Sequence, residues 1–517
     1  MARDRLLAGL RFLLIDEYQD INGDHYDLIS AVAGRTLQSE EDRLSLLAVG
    51  DDDQNIYAFD GANVRYIRQF EADYQARRSS LIENYRSSGH IVACANRVIA
   101  RARDRMKAGQ DIRVNHARRD QPAGGDHATL DPVTGGRVQI LEVPQDPRLE
   151  VQMALVELQR LSALEPARRG QWGRFAVMAR RWEDLEPLAA LCRRRRIPVR
   201  LLRDAQQPNL HTTREGHTLL SLLRGAGRRT GRTRVLLRAG TLSRWFRRRY
   251  GVTIDALIEH PFRAALAQLI SEIEWAVPGG ERVVADLIDA LYEFGPGGKA
   301  LAEARPNGPL MLMTAHRAKG LEFDHALILD SGGWRRRDDD ERRLFYVAMT
   351  RARQSLTLCE AMGRPHPFVG ETDGLALRTR PAVPALEPTL ANRFQLADPE
   401  QIVLSWPGYF APCAPIHRAL AALEVGHPLM LRARPDGHPG WELADLQGVA
   451  VTRMSAKFRP PDGEIVAVRV AAVLVRYGKE DQQGLRCPCW ELILPESLFP
   501  RRRPETLSSG FLKSTRA

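Results

Sequence analysis

Two apolar runs near the start of the chain each end in carboxylates. Arg11 to Ile15 leads into Asp16, Glu17, Tyr18, Gln19 and Asp20, and Leu44 to Val49 leads through Gly50 into Asp51, Asp52, Asp53 and Gln54. Adjacent carboxylates at the end of a strand can divide labour. One holds Mg²⁺, usually through water, while the other takes a proton from an attacking water. Acidic strand ends are also common as solvated turns, so the first pair alone is a weak signal. A glutamine after three aspartates suits the sensing of a γ-phosphate or the orienting of a water. Tyr57 and Phe59, two residues apart, offer faces for stacking unpaired bases, although aromatics at that spacing more often serve a core.

These residues need a scaffold that presents strand ends. Both runs read as buried parallel strands, whose carboxyl ends are where open α/β sheets place ligands. Leu81 to Glu83 is a shorter third strand, with helical spacing over Asp24 to Ala33 and His90 to Arg105. A second α/β segment follows, with strands at Val138 to Val143 and Phe175 to Ala179 and helices over Leu149 to Leu161 and Trp182 to Arg194. From about 205 to 305 the strand signal fades into helices and loops, then returns at Leu310 to Thr314 and His325 to Leu329. The pattern is an α/β domain interrupted by a helical insertion. After a proline-bearing stretch, the tail has β-like runs in Gly463 to Tyr477 and Cys489 to Pro495, which suggests a small barrel or sandwich.

Length and composition set outer bounds. A chain of 517 residues, 44 % hydrophobic and 27 % charged, fits several globular domains. It has no apolar run long enough to span a bilayer, and its first residues are too acidic for a signal peptide. Six scattered cysteines suit reduced thiols in the cytoplasm. Cys487 and Cys489 alone cannot give zinc four ligands and read as ordinary core or turn thiols. The net charge of +11 favours a polyanionic partner. Seventeen arginines face only Asp204 and Glu215 between Cys192 and Tyr250, while the chain has just six lysines. That block is either a phosphate-gripping surface or a solvated face in an arginine-rich composition.

Taken together, DEYQD at 16–20, GDDDQNIYAFDGA at 50–62, ENYRS at 83–87, TAHRAKGLEFDH at 314–325 and ERRLFYVAMTRAR at 341–353 resemble motifs II to VI of UvrD/Rep/PcrA-type superfamily 1 DNA helicases, in the family's order. The resemblance covers about residues 1 to 375. It implies an α/β fold of RecA-like motor domains, the first truncated, with an α-helical insertion domain and a small β-rich C-terminal domain. The implied boundaries are 1–86 for the end of the first motor domain and 87–204 with 306–376 for the second. The insertion would occupy 205–305, a linker 377–394 and the C-terminal domain 395–517.

By the same resemblance Glu17, Gln54, Arg86 and Arg351 are the catalytic set, with Glu17 as base, Gln54 reporting on the γ-phosphate and the two arginines approaching it. Asp16 would hold Mg²⁺. ATP would also meet Tyr85 stacked on adenine, Gly320, and Glu322 on the ribose. Tyr57, Phe59, Thr314, His316 and Lys319 fall where the family contacts single-stranded DNA, with Lys319 linking DNA to nucleotide. Arginine suits its part because its delocalised fork neutralises charge on transferring phosphoryl oxygens. Phe59 and Asp60 stand where the family commonly has Trp-Arg, which weakens the expected coupling of hydrolysis to base stepping.

The family's glycine-rich phosphate loop, G-x-x-x-x-G-K-[ST], wraps phosphates with amides, a lysine and a Mg²⁺-binding hydroxyl. Only fifteen residues precede Asp16, and the loop is not among them. FGPGGKALAE at 294–303 is a decoy, since Glu293 stands where the first glycine is required and Ala300 cannot bind Mg²⁺. The expectation is therefore the C-terminal portion of a 3′ to 5′ helicase or translocase acting in repair or recombination on single-stranded DNA and its junctions. The alternatives are a non-catalytic DNA-binding remnant, or one half of a split enzyme whose phosphate loop comes from a second polypeptide or a missing segment. A tail around PIHRALAALEVGHPLMLR faintly resembles the ends of proteins joining RecQ-like and UvrD-like modules, and an accessory binding role or a structural cap would fit it equally.

Overall fold

The computed structural model describes residues 7, 9–37, 43–103, 105–202, 209–230, 236–238, 240–251, 262–263, 266–267, 269–270, 273, 281–293, 306, 308–387, 392–397, 399–458, 465–478 and 483–500. The decoy at 294–303 and Asp204 lie outside them. Its contacts define one unit of Met1–Leu185 with Ala304–Ala385, and another of Glu186–Glu303 with Leu386–Ala517.

The first unit contains two main parallel sheets, besides a short parallel pair of Glu83–Asn84 with Arg113–Val114. In the smaller, Phe12–Ile15 pairs with Ser45–Ala48, Phe12 opposite Ser45 and Ile15 opposite Ala48. Parallel neighbours need a crossover, and helix Gly23–Ala33 supplies it. Asn22 starts that helix by accepting from the His25 amide at 3.0 Å, the His25 ring accepts in return from the Asn22 amide, and Gly34 ends the helix in the left-handed region at φ 78°. Ile15, Leu46 and Ala48 pack on a core of Tyr18, Tyr26, Tyr66 and Phe70. The alternate row is bare: Phe12 is 71 % exposed, Leu14 70 % and Leu47 56 %. The strands are parallel as anticipated but not buried, because among the described residues only one of their faces is covered.

The larger sheet has seven strands. Six belong to the first unit, in the order Leu377–Thr379, Gln139–Val143, Ala352–Ala361, Phe323–Ile328, Phe175–Ala179, Leu310–Thr314, and every pairing among them is parallel. Phe175–Ala179 and Leu310–Thr314 are buried at every position, which is why they read as unbroken apolar runs. Helix Asp339–Met349 packs beside Gly89–Ile99, where Arg342 donates to the Val98 carbonyl at 2.8 Å. The helix expected over 90–105 stops at Ile99, since Arg103, Arg105 and Met106 turn away to hydrogen-bond Asp339, Asp53 and Asp52. The ten-residue strand Ala352–Ala361 and helix Arg65–Tyr74 escaped the sequence reading.

In the second unit, helices Arg214–Thr230, Thr241–Tyr250 and Val284–Glu293 surround a core that includes Leu219, Leu223, Leu266 and Leu291. Strand signal is not wholly absent there, because Leu236–Arg238 pairs antiparallel with Glu281–Val283. The arginine block is divided in use. Arg214 forks onto Glu491 at 2.6 and 2.7 Å, whereas Arg247, Arg248 and Arg249 are exposed. The tail forms one six-stranded antiparallel sheet, Asn392–Leu396, Cys489–Pro500, Ala467–Tyr477, Pro428–Ala433, Trp441–Ala444, Ala450–Arg453, with helix Pro415–Ala422. Cys487 donates its thiol to the Cys489 carbonyl at 2.9 Å, and neither joins a metal-capable group among the described residues. No described helix is long and apolar enough to cross a membrane.

Candidate functional site

The carboxyl ends of the small sheet are locked together by one buried side chain. Gln19 is fully buried; its Oε1 accepts from the Asp51 amide at 2.8 Å, its Nε2 donates to Glu17, and its carbonyl accepts from Asn55 Nδ2 at 2.7 Å. A Cβ on Gly50 would sit 2.7 Å from Gln19 Oε1, so this turn requires glycine. Glu17 adopts φ 52°, a left-handed conformation costing a non-glycine residue about 1–3 kcal/mol. That twist leaves Glu17 exposed beside Asp16, whose Oδ1 accepts the Glu17 amide at 2.8 Å.

The three aspartates that follow the second strand are a clamp. Arg105 grips Asp53 with two bonds of 2.8 and 2.7 Å, Lys107 reaches Asp51 at 2.5 Å, and Asp52 accepts from the Met106 amide at 2.6 Å. Burial raises the Asp52 carboxyl above its ordinary range, while the Met106 amide and Lys107 oppose the shift. The three carboxylates are close enough for a cation, but Arg105 and Lys107 already offset the charges of Asp53 and Asp51, and the Met106 amide occupies Asp52. Arg105, Lys107 and Gln19 were missed by sequence reasoning. The available signal was rarity, since two of only six lysines in the chain, Lys107 and Lys319, lie here.

Gln54 joins the two sheets' residues. Its Nε2 donates to Asp51 Oδ2 at 2.8 Å and its Oε1 accepts from Arg351 Nη2 at 3.3 Å. Arg351 follows helix Asp339–Met349 and is among the largest fully buried side chains. Its Nε donates to the Val347 carbonyl at 2.8 Å. Burial, with Arg86 nearby, pushes its guanidinium down to about 10, so it is still charged at neutral pH. Arg86 donates to the Thr350 carbonyl at 3.5 Å and pairs with Glu322, which also accepts from Arg353 Nε at 3.0 Å. Burial alone would raise the Glu322 carboxyl, but Arg353 and Arg86 together hold it below the usual range. Gly320 has φ 79° with no atom within 4 Å of a built Cβ, leaving open space beside Glu322. Tyr85 is 71 % exposed and donates to Glu83 at 3.1 Å.

Lys319 closes the group from the other side. Its side chain is 7 % exposed; Nζ donates to Asp20 and to the Gln54 carbonyl at 3.0 Å, lies 3.5 Å from Glu17 Oε2, and sits 5.4 Å from the Tyr57 ring centroid. Burial raises the Asp20 carboxyl, and the Lys319 ammonium only partly offsets this. Beyond Tyr57 runs a short aromatic row. Phe59 is 78 % exposed and packs edge-on against Tyr57 and against His316, each at 5.9 Å. Thr314 is 7 % exposed at the end of its strand, and its carbonyl accepts from the Ala318 amide at 3.2 Å.

The structure thus brings together Glu17, Gln54, Lys319 and Arg351, with Arg86 and Glu322 adjoining and Tyr57, Phe59 and His316 alongside. Asp16, Tyr85 and Gly320 stand at the rim, and Thr314 is buried.

Comparison with known proteins matches both ends of this site. Residues 2–75 fit the UvrD/REP helicase N-terminal domain, and residues 309–359 fit the UvrD-like helicase C-terminal domain. These matches support a UvrD-type helicase. N-terminal helicase sequence is therefore present, where the motifs by themselves describe a C-terminal portion. The chain is 48 % identical over 92 residues to ATP-dependent DNA helicase UvrD1 of Mycobacterium tuberculosis, covering 18 % of this chain and 12 % of that one. Over 99 residues it is 39 % identical to ATP-dependent DNA helicase Rep of Escherichia coli, covering 19 % and 14 %. The matched region thus spans about an eighth of the length of these relatives. The C-terminal domain of a possible DNA helicase from Lactobacillus plantarum aligns with 57 % of this chain and 98 % of its own, at 13 % identity and a TM-score of 0.26, too slight a likeness to bear on the fold.

Proposed function

We propose that this chain carries nucleotide-facing and DNA-facing parts of an ATP-driven DNA motor of the UvrD/Rep type, moving 3′ to 5′ on single-stranded DNA and at its junctions with duplex, in the cytoplasm. The observation that carries this reading is the convergence at Gln54. Its side chain meets Arg351, which precedes a strand of the large sheet, and its carbonyl meets the lysine that also reaches Glu17 and Asp20.

In this reading Asp16 would hold Mg²⁺; an exposed carboxylate at a strand end offers the hard oxygen donor that ion prefers. The ion would neutralise charge on the phosphates of ATP. Glu17 accepts the proton of the attacking water, and Gln54 orients that water while its Oε1 stays within reach of Arg351. Arg351 and Arg86 stabilise charge on the transferring phosphoryl group, Tyr85 stacks on adenine, and Glu322 beside Gly320 meets the ribose. Tyr57, Phe59 and His316 offer faces to unpaired bases, with Thr314 contributing from the end of its strand. Lys319 transmits their occupancy to Glu17. The domain order proposed from the motifs is retained: 1–86, 87–204 with 306–376, an insertion at 205–305 and a tail domain from 395.

A second reading is favoured by the bare row Phe12, Leu14 and Leu47. Apolar positions on a parallel sheet are normally covered on both faces, so an α/β segment bearing a phosphate loop, on a partner polypeptide, would complete the sheet and the site.

The test is hydrolysis of ATP by the purified chain with and without single-stranded DNA, with Glu17→Gln as control. Hydrolysis should rise with DNA and fall about 10²–10⁴-fold in the variant. Activity indifferent to the substitution defeats the motor; no hydrolysis by the chain alone is what the second reading expects, and hydrolysis still absent when a segment bearing the phosphate loop is supplied leaves a non-catalytic DNA-binding protein.

A further inference from the structure

Away from the cleft, the middle of the large sheet holds a buried cluster of two imidazoles and a carboxylate. His325 lies on strand Phe323–Ile328, between two other strands; His127 opens the short helix His127–Leu130; Glu165 follows helix Pro147–Leu164. One ligand atom from each falls within 4.8 Å of the others. Both histidines are 1 % exposed, and both ring nitrogens of His127 and Nε2 of His325 find no hydrogen-bond partner among the described residues. Leaving a buried polar group unmatched costs on the order of 1–3 kcal/mol, and two neighbouring rings with unmatched nitrogens, each offering one atom within 4.8 Å of the other and of a Glu165 oxygen, need an explanation.

We infer that His127, His325 and Glu165 form a structural zinc site. Two imidazole nitrogens and a carboxylate oxygen are a donor set that zinc takes readily, at about 2.0–2.2 Å. Tetrahedral geometry at that bond length puts ligand atoms about 3.4 Å apart, so the three side chains close the site with small rotations. The surroundings are those of an oriented ligand set. Ser355 Oγ lies 2.9 Å from His325 Nδ1; with Nδ1 donating to it, Nε2, which has no partner among the described residues, keeps a free lone pair for a metal. Arg174 donates to Glu165 Oε1 at 2.7 Å and Arg168 to Oε2 at 2.9 Å, fixing the carboxylate as ligands' partners do in metal sites. Each oxygen retains a further lone pair. The two arginines oppose a dication, while Glu165, Asp131 and Asp126 act on His127 with the opposite sign. Among the described residues no fourth His, Cys, Asp or Glu joins the group, so a water completes the shell. The burial of both histidines makes the site a staple of two helical segments to the central strand that follows Gly320 and Glu322.

The bland alternative is an aromatic stack, His325 lying 4.4 Å from Phe175 and 5.2 Å from His127. The full-length chain, stripped with chelator, is titrated with zinc chloride in excess Mg²⁺, which occupies ordinary carboxylate sites, then gel-filtered and analysed for metal. We expect one zinc per chain and a higher melting temperature. Glu165→Gln, which keeps shape, should lower affinity at least about tenfold, and His325→Phe, which keeps the stack, should abolish retention. Replacing both Cys487 and Cys489 by serine should change nothing. Cobalt in place of zinc should give the visible bands of a tetrahedral site without a sulfur charge-transfer band, a readout that stands even if His325→Phe fails to fold. A folded wild type that retains no zinc overturns the proposal, as does retention unchanged in Glu165→Gln or lost with the cysteines.

Discussion

The two main parallel sheets of the first unit present comparable chemistry at their carboxyl ends on very different foundations. The large sheet delivers Thr314 from a strand buried at every position. The small one delivers Glu17 and Gln54 from strands whose alternate residues are bare. Site geometry in the small sheet is held instead by polar contacts beyond the strand ends: Gln19 ties one turn to the other, and Arg105 with Lys107 ties the aspartates to the segment after helix Gly89–Ile99. A chemically exact strand end can therefore rest on a buried ion-pair clamp where apolar cover is thin.

The comparison is broken most severely by removing the clamp. Arg105 and Asp53 side chains are 8 % and 1 % exposed, and stripping one partner from a buried pair costs about 3–5 kcal/mol. Arg105→Ala should accordingly give a large drop in melting temperature by circular dichroism, with early loss of Tyr18 and Tyr26 near-ultraviolet signal. A variant that melts like wild type would show the clamp to be ornamental.

The apolar halves of the two sheets should respond in opposite ways. Leu312 is fully buried, and Leu312→Ala should cost about 2–5 kcal/mol. Leu14, 70 % exposed, should change stability by no more than about 0.5 kcal/mol when made alanine. Urea titrations compare the two directly. A costly Leu14→Ala would mean that the outer row is already covered in solution.

Behind the large sheet, Glu150 adds a pH dependence of the same sign as those of Asp20 and Asp52 beyond the small one. It is buried and accepts from the Asp330 amide at 2.7 Å and from the Ser331 amide at 2.9 Å; burial, then the charge of Asp330, raises its carboxyl from 4.5 to about 7. An acid whose folded pKa lies above its unfolded one binds the proton more tightly when folded, so stability falls as pH rises from about 4.5 to about 7. The expected loss is at most about 3 kcal/mol. Melting Glu150→Gln beside wild type at both ends of that window should show the steeper slope in wild type; parallel profiles would remove Glu150 from the account.

The parts of this design legible in the sequence are those with local signatures. Apolar runs marked the strands Phe175–Ala179 and Leu310–Thr314 to the residue, and helix Trp182–Arg194 likewise. Glu17, Gln54 and Arg351 lie in short contiguous motifs that a sequence displays directly. What could not be read were partners far apart in the chain. Gln19 meets Asp51 across 32 positions and Arg105 meets Asp53 across 52, and no periodicity records such pairs. The counter-charges of the triplet Asp51–Asp53 likewise lie far along the chain, at Arg105 and Lys107. The bareness of Phe12 and Leu14 was equally hidden, since a run of apolar residues signals what a strand needs and not whether the cover is supplied.

The central claim of the proposed motor is that one buried lysine connects the aromatic row to Glu17. The direct measurement is the ratio of ATP hydrolysis with and without single-stranded DNA in Lys319→Met against wild type. If Lys319 transmits occupancy of Tyr57 and Phe59 to Glu17, the ratio should collapse towards one while DNA is still bound. A variant that binds DNA and keeps the wild-type ratio would contradict the connection.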